Sequence, residues 1–167
     1  MLPPIPPFEA YHPLVVHFPI AMLLSAWLPL ILGFFLKGHK EHQDSTKYWW
    51  IATLLWVGIG VTGVMASVST GDAAEEIAIV TTDAAKSVLE EHERTAIYTR
   101  ILSIITFLAL LSAFILRYTI NAKKPVVIIA IAITALFYAA TTIFLINTAH
   151  QGGLLVHQHG IHAPIPD

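Results

Sequence analysis

The chain has 167 residues, of which 56% are hydrophobic and 12% are charged, and its formal net charge is −2. A soluble domain has about 25% charged residues, so this composition excludes an ordinary water-soluble domain, and the lack of a basic excess argues against a nucleic-acid-binding face. The absence of cysteine excludes disulfides, thiolate metal sites and covalent attachment of a c-type haem. We expect one integral membrane domain over 1–167.

Four apolar stretches are long enough to cross a bilayer, which takes about 20 residues as a helix. They cover about 14–36, 48–70, 95–116 and 125–149, and Arg100 is the only charged residue inside them. These spans predict an all-α fold, a four-transmembrane-helix up-down bundle. No internal repeat is visible in the sequence.

The long connection between the second and third spans has the pattern of a helix. In "TTDAAKSVLEEHERTAIYTR" (81–100), Thr81 or Thr82 is a suitable N-cap, and an acidic first turn and strong helix formers follow. We expect a helix that starts outside the membrane and continues into the third span. We also expect a separate short helix after Gly71, so that the connection is helical at the outer face.

Charge predicts the orientation. The two short connections contain most of the basic residues, namely Lys37, Lys40, Lys47, Arg117, Lys123 and Lys124, whereas 71–94 is mainly acidic. Cytoplasmic loops carry the excess of lysine and arginine. We therefore expect a multi-pass protein of the bacterial inner membrane, with both termini and the acidic connection outside the cytoplasm, facing the periplasm.

The nine histidines are as numerous as lysine and arginine combined. With this topology, most of them lie at the outer face: His12, His17, His92, His150, His157, His159 and His162. His17 lies inside the first span, while His92 and His150 lie at a similar depth on the third and fourth helices. Polar groups near lipid usually turn inward, toward partners or a cofactor.

In an up-down bundle the first and third helices are diagonal, so His17 is expected to face His92. Two such imidazoles can bind the two axial positions of a haem iron, with His150 as the other candidate partner and His12 farther out. Gly60 and Gly63 on the second helix would leave room for a flat macrocycle.

Two other interpretations stay open. The same histidines, with His159 and nearby carboxylates, could hold iron, copper or zinc, because imidazole suits all three. Alternatively, the histidines are interfacial polar residues and the glycines only allow close helix packing.

Four segments, "HPLVVHFPIAM", "TGDAAEE", "EEHERTA" and "AHQGGLLVHQHG", resemble in order and spacing the bacterial family named domain of unknown function 2231. The resemblance covers about 11–162 and implies a four-helix membrane protein related to diheme b-type cytochromes. It places the motif histidines at His12, His17, His92, His150 and His159. His157 stands where the family tends to have an aromatic residue, and no second histidine pair lies inside the membrane near the cytoplasmic face.

The sequence and the resemblance together predict a membrane-embedded b-type cytochrome with non-covalent haem b near the outer face. It would exchange electrons with a periplasmic cytochrome or a larger redox complex. Because both axial positions would be filled, we expect an electron carrier and not a stand-alone enzyme. The alternatives are a non-haem metal-binding membrane protein and a structural subunit of a membrane complex.

Overall fold

The computed structural model describes residues 5, 7–35 and 43–161, and within these ranges it contains helices and no strand. A short 3-10 helix, Phe8–Tyr11, leads into the first helix. The α-helices are α1 His12–Val15, α2 His17–Ser25, α3 Trp27–Phe35, α4 Gln43–Glu76, α5 Asp83–Tyr118 and α6 Lys124–His157. Together α1, α2 and α3 form the first spanning segment. The all-α prediction is confirmed.

Four helical segments are long and apolar enough to cross a membrane: His12–Gly33, Thr46–Glu76, Asp83–Tyr118 and Lys124–His157. They coincide with the four spans predicted from the sequence and extend most of them beyond the apolar runs. The chain therefore has the architecture of a multi-pass membrane protein, whose outer surface contacts lipid. Residues 36–42, including Lys37 and Lys40, and His162 lie outside the described residues.

The first spanning segment is interrupted at Val16 and again at Ala26. Proline has no backbone N–H and so cannot donate to the carbonyl four residues earlier. Pro19 removes the bond to Val15, and Pro29 removes the bond to Ser25, in each case just before an interruption. The breaks therefore follow from the proline positions.

The connection between α4 and α5 matches the prediction in one part and departs from it in another. Thr82 is the N-cap of α5, and its side-chain oxygen accepts a hydrogen bond from the Ala85 amide at 3.2 Å. The prediction of a separate short helix after Gly71 is wrong, because α4 continues without a break to Glu76. A glycine inside a helix costs only about 1 kcal/mol, and strong helix formers in "AAEE" (73–76) continue the helix beyond it.

Helix contacts show the up-down arrangement. The first spanning segment packs against α4 and α6, and α5 packs against the same two helices, so the first segment and α5 are diagonal. The buried core includes Leu23, Val57, Leu110 and Tyr138. The interior of the bundle lies between the first segment and α5. A site formed by the first and third spans would therefore lie there.

The second hairpin, α5 with α6, repeats the first hairpin, formed by the first segment with α4. Buried positions recur in matching order, as Pro19/Thr99, Leu23/Ser103, Ala26/Thr106, Gly33/Ala113, Thr53/Thr134, Val57/Tyr138, Gly60/Thr141 and Val64/Leu145. In this set only Thr53 and Thr134 are identical. Helix register and burial therefore recur while residue types do not, which agrees with the absence of a visible repeat in the sequence. Parallel repeats of this kind are related by a two-fold axis along the membrane normal.

Candidate paired-histidine site

Two histidine rings meet at the end of the bundle where the first segment begins. The ring centroids of His12 and His92 are 6.5 Å apart, and the ring planes are nearly perpendicular at 84°. One ring comes from each hairpin, across the diagonal of the bundle. We call these two residues, with the backbone and glycines that hold them, the paired-histidine site.

His12 is held by α4. It is the first residue of α1, and Pro13 follows at a position where the missing N–H costs nothing. Its Nδ1–H donates to the Ser67 carbonyl oxygen at 3.0 Å, and the hydroxyl oxygen of Thr70 lies 3.2 Å from the same nitrogen. The ring orientation is thus fixed by a neighbouring helix.

His92 is held by α6 in the same way. Its Nδ1–H donates to the Thr148 carbonyl oxygen at 3.0 Å. The bonded residues are 55 positions apart in the first hairpin and 56 in the second. Both rings are half-buried, so each hairpin contributes an equivalent imidazole to the interior.

A glycine lies against each ring. A Cβ atom built on Gly71 would be 3.0 Å from the His12 Cε1 atom, and one built on Gly152 would be 3.1 Å from the His92 Cε1 atom. Each glycine lies one helical turn after the residue whose carbonyl oxygen accepts the histidine N–H, which is Ser67 for Gly71 and Thr148 for Gly152. The missing side chain therefore makes room for the imidazole at both places.

The hydrogen bonds determine which ring nitrogen is free. A carbonyl oxygen can only accept, so the proton of each ring lies on Nδ1 and Nε2 keeps its lone pair. Within the described ranges neither Nε2 atom has a hydrogen-bond partner. A neutral imidazole whose Nδ1–H is bonded to a backbone carbonyl is the form in which histidine binds metals.

The structure places His17 differently from the expectation. The side chain of His17 is exposed, and its Nδ1–H donates to the Pro13 carbonyl oxygen at 2.6 Å, within the same spanning segment. His12 is bonded to α4 while His17 is exposed, so the two side chains lie on different faces of the first segment. His12, and not His17, therefore lies opposite His92.

The other predicted residues lie apart from the pair. His150 is exposed, because Thr148 and Gly152 are the residues of α6 that face His92. His159 follows the end of α6. No group of three or more possible metal ligands forms among the residues that the structure describes.

Gly60 and Gly63 pack against the first segment. A Cβ atom on Gly60 would lie 2.7 Å from the Leu23 side chain, and one on Gly63 would lie 3.1 Å from Phe18 and 3.2 Å from Pro19. In this structure the room that the two glycines leave is filled by these side chains.

Sequence reasoning missed the residues that hold the rings, namely Ser67, Gly71, Thr148 and Gly152. The available signal was a short pattern, a hydroxyl residue followed four positions later by glycine, in "SVSTG" (67–71) and again in "TAHQG" (148–152). The pattern becomes visible only after the two hairpins are aligned, because nothing else near it is repeated.

One family model, described as predicted membrane protein (DUF2231), matches residues 9–164. The match includes both rings and all the residues that hold them. No curated protein and no solved structure matches the chain.

Proposed function

The chain belongs to the DUF2231 family of predicted membrane proteins, and we propose that it is a b-type cytochrome that holds haem b between His12 and His92. The observation that carries this proposal is the pair of imidazoles from equivalent positions of the two hairpins, each with Nδ1 bonded to a carbonyl and Nε2 free. This is the form of histidine that binds a metal through Nε2.

The ring separation agrees with one metal ion that the two imidazoles would hold between them. An imidazole nitrogen lies about 2 Å from a metal ion that it binds, and the ring centre lies about 1 Å behind it, so opposed rings have centres about 6 Å apart. The observed separation is 6.5 Å. Two imidazoles complete the coordination of a haem iron, whereas a structural zinc site takes four protein ligands.

The protein contributes position and protonation state. The carbonyls of Ser67 and Thr148 keep the proton on Nδ1 and orient each ring, which also makes Nε2 more basic. Gly71 and Gly152 let the rings lie close to α4 and α6. When bound, a haem held by His12 and His92 would supply one-electron transfer.

We also propose that the paired-histidine end faces the periplasm. The support is the distribution of basic residues: among the described residues, Lys47, Arg117, Lys123 and Lys124 all lie at the opposite end of the bundle. By the positive-inside rule that end is cytoplasmic. The electron partner would then be a periplasmic cytochrome or a redox complex in the same membrane.

The test is a reduced-minus-oxidised spectrum with a pyridine haemochrome assay on the purified protein. We expect one haem per chain in the wild type. His12→Ala and His92→Ala should each abolish or convert the haem spectrum, because each removes one axial nitrogen. His17→Ala and His150→Ala are the matched controls, since both remove an exposed histidine, and both should leave the spectrum unchanged.

Three results would contradict parts of this proposal. Protein purified from haem-replete cells without stoichiometric haem would refute the cytochrome assignment. Stoichiometric iron, copper or zinc without a Soret band would favour a non-haem metal protein at the same histidines. Loss of haem in His17→Ala, with retention in His12→Ala, would show that the ligand pair is wrong.

A further inference from the structure

At the opposite end of the bundle, two buried hydrogen-bond donors have no partner among the residues that the structure describes. Trp50 on α4 is only 4% exposed, and its indole Nε1–H is unpaired. The hydroxyl group of Tyr118, the last residue of α5, is also buried and unpaired. A buried polar group without a hydrogen-bond partner is destabilising, so two of them at the same end of the bundle point to a ligand.

A guanidinium group lies over both aromatic rings. The Arg117 Cζ atom is 5.8 Å from the Trp50 ring centroid and 5.0 Å from the Tyr118 ring centroid, and the two ring centroids are 6.4 Å apart. Within the described ranges the ion pair is Arg94 with Glu91, at the other end of the bundle. Arg117 therefore has aromatic neighbours and no described carboxylate.

A cavity of about 210 Å³ adjoins Trp50 between the first segment, α4 and α6. It is lined by Trp27, Leu30, Ile31, Trp50, Ile131, Thr134 and Ala135. Ile31 and Ala135 are exposed, so the cavity borders the lipid-facing surface. Its lining is almost entirely apolar, and it has room for several methylene groups of an acyl chain.

We propose that this end binds one anionic phospholipid, with its phosphate on Arg117, Trp50 and Tyr118 and part of an acyl chain in the cavity. A phosphate offers only acceptors, and the indole N–H, the tyrosine hydroxyl and the guanidinium can all donate to it. Arginine pairs with phosphate through two parallel hydrogen bonds. Arg117 covers both rings, and a change of its rotamer toward the phosphate is part of the proposal.

A lipid suits the position better than a soluble anion does. Trp50 and Tyr118 lie near the ends of their apolar runs, where a headgroup lies, and the cavity continues from Trp50 toward residues deeper in the spans. Lys123 and Lys124 add exposed positive charge in the adjoining turn. Basic pockets between transmembrane helices bind anionic headgroups.

The experiment is native mass spectrometry of the full chain in mild detergent, titrated with phosphatidylglycerol or phosphatidylcholine of the same chain length. We expect one phosphatidylglycerol bound at least tenfold more tightly than phosphatidylcholine. Arg117→Gln should remove that preference, and Tyr118→Phe and Trp50→Phe should each weaken phosphatidylglycerol binding several-fold. Arg94→Gln, which removes an arginine at the other end, is the matched control and should change nothing.

Equal affinity for the two lipids, or unchanged binding by Arg117→Gln, would overturn the proposal. If Trp50→Phe fails to fold, Tyr118→Phe, which removes one oxygen atom, decides the matter. Ala135→Phe narrows the cavity and should weaken long-chain but not short-chain phosphatidylglycerol; an equal effect on both would refute the acyl-chain position. Inorganic phosphate bound as tightly as the lipid would refute a lipid ligand. None of these outcomes depends on haem.

Discussion

Each of the two hairpins contributes one histidine to the paired-histidine site, but the helices within each hairpin pack against each other in different ways. In the first hairpin, close backbone approach dominates, since Gly60 and Gly63 lie directly against Leu23 and Pro19. In the second hairpin, hydroxyl groups occupy the corresponding interface: Thr106 and Thr141 are hydrogen-bonded at 2.8 Å, and Thr99 and Thr148 at 3.1 Å. Close packing at small residues and interhelical hydrogen bonds both contribute to the association of membrane helices.

What the hairpins share is the register between their helices. In both, a histidine on one helix contacts a carbonyl oxygen and a glycine, one turn apart, on the helix packed against it. Packing chemistry can therefore vary as long as that register is kept. The predictions below test how far the two hairpins are equivalent.

The largest effect is expected at the site glycines. Gly71→Ala and Gly152→Ala would each push a Cβ atom against a histidine ring, at 3.0 and 3.1 Å from Cε1, and displace its Nε2 atom. Changes to groups that orient a ligand typically cost about 10–100-fold in affinity. Haem titration into the apoprotein should show a similar loss for both variants.

Gly153→Ala is the control for this prediction, because nothing lies within 4 Å of a Cβ atom at that position. It should bind haem like the wild type. A large loss in Gly152→Ala with none in Gly71→Ala would show that the two halves of the site are not equivalent.

A smaller effect is expected from overpacking the first hairpin. Gly60→Ala places a Cβ atom 2.7 Å from the side chain of Leu23, which is only 1% exposed. Inserting a carbon into a packed core should lower the free energy of unfolding by about 1–2 kcal/mol. Reversible unfolding in mixed micelles measures it, and an unchanged stability would mean that the helices can separate freely.

The entry of α5 carries a cap that the entry of α1 lacks. Thr82→Ala removes the oxygen that accepts from the Ala85 amide, whereas α1 has no side-chain cap. Loss of an N-cap costs about 1 kcal/mol. Hydrogen exchange should become faster in the first turn of α5 and stay unchanged near Thr106; uniform acceleration would indicate global destabilisation instead.

The smallest effect is expected in the hydroxyl interface of the second hairpin. Thr106→Val keeps the volume and removes the hydrogen bond to Thr141. Such bonds in membrane proteins average about 0.6 kcal/mol, so the loss of stability should be below that of Gly60→Ala. A larger loss would show that hydrogen bonding, and not helix packing, holds the second hairpin together.

The sequence predicts the large features because they depend on composition and periodicity. The four spans, the cap at Thr82 and the inner placement of His92 all follow from local patterns. The partner of His92 does not, because the interruption at Val16 and the start of α1 decide which face His12 and His17 present. The end of α4 was missed for a related reason: Gly71 was interpreted as a break, although one glycine does not stop a helix.

The site residues on α4 and α6 could not be predicted from local sequence patterns. Ser67 and Thr148 act through backbone carbonyls, which every residue has, so their side chains carry no signal. Gly71 and Gly152 are informative only as a pair in matching positions. To recognise that pairing, the buried positions of the first hairpin have to be aligned with those of the second, and burial is known only from the structure.

The helix α5 begins at Asp83, well before His92. At 1.5 Å per residue, this overhang places the start of the helix about 13 Å above the paired histidines. On the side of α5, a globular partner would contact the first turns of this helix before it reached the imidazoles. Because α1 begins at His12 itself, the two hairpins differ at this end of the bundle, and the approach to the paired histidines differs between its two sides.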